Sequence, residues 1–96
     1  MISKDFKRTL AVVSEVTEIE QDKILSSCRL MEYVEARVLL IKTLSEQGYH
    51  YIAIAKKMNR AVPSIKALLD SFQYRQESSI IFNKLYKEIR SKLQGS

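Results

Sequence analysis

The sequence predicts an all-α domain, a compact bundle of about six helices that contains a helix-turn-helix. Three observations lead there. Two glycines and one proline in 96 residues are too few for the frequent turns of a β fold. Apolar residues recur three and four apart along most of the chain, which is the spacing of one helix face. The stretch from Ile52 to Leu69 reads as two short helices crossing around a tight turn. With 46% hydrophobic residues, the 96-residue chain has enough apolar surface for one core, and a single domain covering residues 1–96 is expected.

The elements follow in order. From about Lys4 to Val16, Phe6, Leu10 and Val13 are spaced four and three apart and mark a first helix. The run Thr17-Glu-Ile-Glu20 places a Glu three residues after a Thr, the pattern of a capping box, and predicts a short helix through Ile24 and Leu25. Ser26-Ser27-Cys28 is an expected connection, because serine hydroxyls compete with the helix backbone for hydrogen bonds. A long helix from about Met31 to Gln47 carries Val34, Val38, Ile41 and Leu44 on one stripe and stops at Gly48, which takes the left-handed cap conformation without steric cost. The last helix carries Phe82, Tyr86, Ile89 and Leu93 on one stripe, after the pattern weakens around Gln76 to Ser79.

The segment between is the most informative, a helix-turn-helix over about residues 50–72. Ala55 is small, as a residue at the crossing of two helices must be, and Ile54 and Met58 give the first helix its apolar face. Asn59 tolerates the left-handed conformation that a tight inter-helix turn requires. Pro63 has no N–H and a fixed φ, so it belongs in the first turn of a helix and sets the start of the second near Val62. Ile65 and Leu68, three apart, share that helix's inward face. The second helix of such a unit is the element that enters the major groove of DNA.

Charge is unevenly placed. The formal net charge is +5 and the isoelectric point about 9.4. Residues 14–35 hold six carboxylates against two cations, a net −4, whereas residues 49–71 and 72–96 are each +3. A chain polarised in this way offers one end to a polyanion. Cys28 is alone and His50 is the one histidine, so neither an internal disulfide nor a zinc site is expected. No apolar run approaches the ~20 residues of a membrane span, and the amino-terminal stretch lacks the apolar core of a signal peptide, so a cytoplasmic protein without membrane contact is expected. No carboxylate pair or nucleophile–base set stands out, and an enzyme is not expected.

From about residue 6 to residue 93 the order and spacing of elements resemble the carboxy-terminal DNA-binding domain of the bacterial replication initiator DnaA, a Trp-repressor-like helical fold. Ile24-Leu-Ser-Ser27 is similar to the Leu-Leu-Ser-Lys before that family's basic loop, and the long helix ending at Gly48 to the one that follows the loop. Ala53-Ile-Ala-Lys-Lys-Met-Asn-Arg60 resembles Glu-Ile-Gly-Asp-Ala-Phe-Gly-Gly-Arg, and the run from Tyr86 to Leu93 resembles the family's final helix. The family reads DNA with Arg-Asp-His-Thr-Thr-Val, where this chain has Arg60-Ala-Val-Pro-Ser-Ile65. Arg60 and the Ser64 hydroxyl match. Ala61, Val62 and Pro63 replace the Asp, the His and the first Thr. Arg29 and Arg37 stand where the family's basic loop has several more arginines, and Glu35 occupies the place of one of them. The closely spaced glycines of a phosphate-binding loop are absent, so the resemblance implies the DNA-reading module alone, with no nucleotide or other cofactor.

The candidate DNA-binding residues follow. Arg60 at the turn has a fork that fits a phosphate or the O6 and N7 of guanine, and a solvated turn cation is the alternative. Ser64 and Lys66 lie near the start of the reading helix; Val62 and Ala67 suit a thymine methyl, with packing as the alternative for Val62. Lys56 and Lys57 are candidate phosphate anchors or solvated lysines. Arg29 and Arg37 are contacts to an adjoining groove by resemblance, or partners of Glu32 or Glu35. His50 is a candidate helix cap and Cys28 a bystander. Phe6, Phe72, Phe82 and Tyr86 are expected in the core. Duplex DNA is the expected partner, in replication initiation or transcription regulation. The competing expectation is a helical protein-interaction module, and a homodimer or protein partner fits either.

Overall fold

The computed structural model describes residues 1–95. Among them are seven helices and no strand: α1 (Ile2–Thr17), α2 (Gln21–Ile24), α3 (Met31–Glu46), α4 (Tyr51–Met58), α5 (Val62–Asp70), α6 (Phe72–Ser78) and α7 (Ile80–Gln94). The seventh arises because α5 and α6 are separate segments. Ser71 joins them in right-handed helical geometry (φ −78°, ψ −9°), with no glycine or proline to mark the break.

The core is built around α3. Ala36, Arg37, Val38, Leu39, Leu40, Ile41, Thr43 and Leu44 are all buried, and α3 packs against each of the other six helices. A helix covered on every side needs apolar residues all round, and Leu39 and Leu40 supply the faces that the Val38–Ile41–Leu44 stripe leaves open. Val34 at its start is only partly buried. On one flank α1 brings Phe6, Leu10, Val13 and Val16; on another α7 brings Phe82, Tyr86 and Ile89. Phe72 of α6 meets Phe82 and Tyr86 with ring centroids 5.7 and 4.7 Å apart, so the expected core aromatics are all in place.

The caps show which local signals govern. Gly48 (φ +103°) closes α3: its N–H donates to Ser45 O (3.0 Å) and that of Tyr49 to Leu44 O (3.2 Å). That pair of bonds satisfies carbonyls the helix end leaves open. No atom lies near the place a Cβ would take at Gly48, so the backbone angle alone calls for glycine. The capping box expected at Thr17 does not form. Thr17 instead completes α1, its hydroxyl donating back to Val13 O (2.7 Å), and Glu18 turns left-handed (φ 61°) to end the helix. Glu20 then precedes α2 with no side-chain cap. Ser79 does cap α7, its Oγ accepting from the Phe82 N–H at 3.1 Å. Among the described residues no helix is long and apolar enough to cross a membrane.

Candidate nucleic-acid interface

The helix–turn–helix unit is α4, its turn and α5. His50 initiates α4, its Nδ1 accepting from the Ile52 N–H at 3.2 Å while its ring lies 4.2 Å from that of Tyr51. Ile54 and Ala55 are buried, and Ala55, 1% exposed, has the small side chain that lets α4 and α5 approach closely. Asn59 takes the left-handed conformation (φ 56°, ψ 49°); the N–H groups of Asn59 and Arg60 close the α4 end on Lys56 O and Ala55 O. This is the same device as at Gly48, with Asn in the glycine's place. Ala61 is extended, Pro63 sits in the first turn of α5, and Ile65 is fully buried with Leu68, Leu69 and Val62 partly so.

What remains on the outward side of α5 is Pro63, Ser64, Lys66, Ala67 and Asp70, all exposed. These are short side chains apart from one ion pair: Lys66 Nζ lies 3.0 Å from Asp70 Oδ2, one helical turn on. The bond to Asp70 raises the Lys66 pKa, so the lysine is fully charged near neutral pH but partly neutralised by its neighbour. Its ammonium also lies 5.9 Å from the centre of the Tyr51 ring. Lys56 and Lys57 are exposed on the last turn of α4. Ser64, Lys66, Ala67, Lys56 and Lys57 are therefore carried on one two-helix unit. Val62 is half-buried against the core, the packing alternative more than the open contact.

The arginines are placed differently. Arg60 is half-buried, and its Nη2 donates to the carbonyls of Leu25 (3.2 Å) and Ser26, tying the turn to the α2–α3 connection. Arg29 is exposed on that same connection, next to Cys28. Arg37 is 4% exposed, and its guanidinium donates to Ile24 O (2.7 Å), Cys28 O (2.6 Å) and Ser26 Oγ (3.3 Å). Burial lowers its pKa from the ordinary value, and the nearby Arg60 charge lowers it further. Neither the groove contact implied by resemblance nor a pairing with Glu32 or Glu35 describes Arg37: it clamps the α2–α3 connection from within the core.

Asp70 joins the candidate residues through Lys66, and its position four residues further along the helix is a readable signal. Lys57 Nζ lies 3.1 Å from Ser3 Oγ and 5.6 Å from the centre of the Phe6 ring, a contact across the fold that no local pattern announces. Among the described residues no group of His, Cys, Asp and Glu is arranged to hold a metal ion. A cleft of about 430 Å³ lies between α1, α3 and α7, with Asp5, Arg8, Glu46 and Arg90 on its walls, and no residue of α4 or α5 lines it. No family model matches this chain, and neither a curated protein nor a solved structure matches it significantly.

Proposed function

We propose that this protein binds double-stranded DNA through the α4–α5 unit, as a replication-initiator-like or transcription-regulatory module. One observation carries the reading most of the way: α5 turns a smooth outward side of Pro63, Ser64 and Ala67 away from the core, behind a tight turn and a small crossing residue. Short side chains let a helix backbone settle close to base edges, where the Ser64 hydroxyl meets donors or acceptors and the Ala67 methyl meets thymine. Lys56 and Lys57 are exposed on α4, the helix packed against α5, where contacts to phosphate would position it. Selection from a random duplex library tests it: the parent enriches a short site, and Ser64→Ala with Lys66→Gln relaxes that preference. No enrichment at low salt overturns it.

The second reading, a protein-interaction module on the same scaffold, has its own support in exposed apolar side chains. Ile80 and Ile81 are 78% and 73% exposed at the start of α7, and Leu30 and Met31 stand open before α3. Arg75 of α6 reaches Met31, its Nη1 3.5 Å from the sulfur. Ile80→Lys with Ile81→Glu separates the readings, because a DNA module tolerates that change without loss of duplex affinity.

A further inference from the structure

The reading side of α5 holds one cation and one carboxylate paired to each other, so α5 brings almost no net charge to a duplex. Sequence-independent affinity for DNA comes from cations that displace counterions from phosphates. If α5 occupies a groove, those cations have to stand on elements beside it. The link from Lys57 to Ser3 puts the first turn of α1 beside α4, the helix that packs against α5. Lys4 and Lys7 are exposed on α1, and Lys7 lies one turn beyond Ser3 on the same face. The single carboxylate of residues 1–14, Asp5, points elsewhere and accepts from the Tyr49 hydroxyl. Neither α4 nor the turn after it contains a carboxylate.

The geometry points to a phosphate-binding flank made of Lys4 and Lys7 of α1 with Lys56 and Lys57 of α4, gripping the sugar–phosphate backbone next to the groove that α5 enters. Lys57 and Ser3 link the two elements, and none of the four ammonium groups is in an ion pair among the described residues. The occupant is duplex DNA, argued from charge complementarity, and the inference rests on the reading of α4–α5 given above.

The test is a salt titration of duplex affinity, read by fluorescence anisotropy between 50 and 200 mM salt, for the parent and for Lys4→Gln/Lys7→Gln. Circular dichroism melting checks that the double variant keeps the parent's fold, as two exposed lysines allow. The expected result is a slope of log K against log salt shallower by about 1.8, from about 0.9 per phosphate contact, with weakening of about tenfold that is equal for all duplex sequences. An unchanged slope in a variant of a parent that binds duplex overturns the flank and leaves the α4–α5 reading standing. A parent that binds no duplex at low salt overturns both.

Discussion

Arg37 and Arg60 hold the same short connection: Arg37 donates to the Cys28 carbonyl at 2.6 Å and Arg60 to the Leu25 carbonyl at 3.2 Å. Two guanidiniums on five residues of backbone make the α2–α3 connection a fixed part of the molecule, joined to the core on one side and to the α4–α5 turn on the other. The bonds differ in setting. The Arg37 bond to the Ile24 carbonyl is buried, whereas the Arg60 bond to the Leu25 carbonyl is exposed.

The two arginines are therefore expected to separate in stability measurements. Arg37→Ala leaves the buried Ile24 carbonyl without a donor and removes three part-buried bonds, and costs about 2–4 kcal/mol, read from urea unfolding. Arg60→Ala, whose carbonyl partners water can reach, costs about 1 kcal/mol. Arg37→Lys recovers little, because a single ammonium cannot span the sites that the fork reaches. A loss below about 1 kcal/mol for Arg37→Ala contradicts the clamp.

Asn59 gives a second measurement. Its left-handed φ of 56° costs a Cβ-bearing residue about 1–2 kcal/mol, less for Asn and nothing for Gly. Asn59→Gly should leave the melting temperature close to the parent's, and Asn59→Ala should lower stability by about 1 kcal/mol. Equal melting of the two variants would mean that the turn has another geometry in solution.

The contrast between these residues explains what was readable in the chain. Gly48, Asn59, His50 and Pro63 act within a few residues of themselves, so their roles follow from residue type and spacing. Arg37 looks like any surface cation in sequence; its burial depends on a connection nine to thirteen residues upstream folding back over it. The stripe on α3 was legible, but its full burial depends on six neighbours that no window of sequence contains. Thr17 offered a capping pattern, and the competing bond to Val13 took its hydroxyl. The candidate site divides in the same way: Lys56, Lys57, Ser64, Lys66 and Ala67 share one local unit and could be named together, whereas Ser3 joins Lys57 only through the tertiary fold.

Tyr86 carries a pH prediction. Burial, and then the hydrogen bond it donates to Glu46, push its pKa from the ordinary 10 up to about 12. A folded-state pKa above the unfolded one means that stability is fully present below pH 10 and is lost as pH rises toward 12. The parent's unfolding free energy should fall across that window by about 2 kcal/mol more than that of Tyr86→Phe, which has no phenol to ionise. At neutral pH the same variant should cost about 1 kcal/mol for the lost bond to Glu46. Parallel alkaline curves would mean that Tyr86 is open to solvent.

Asp70 offers the sharpest separation of the two functional readings. Its carboxylate lies 3.0 Å from the Lys66 ammonium, on the exposed side of α5. On a helix that enters a groove, it both repels phosphate and occupies the one cation the helix has. Asp70→Asn removes the repulsion and releases Lys66 toward the nearest phosphate. Duplex affinity should then rise by about threefold to tenfold at low salt, with a salt slope steeper by about 0.9. The fold should be unaffected, since an exposed pair of this kind contributes little to stability. A protein-interaction module gives no such gain. Unchanged duplex affinity and slope in Asp70→Asn would place this side of α5 away from the DNA, whatever the rest of the molecule binds.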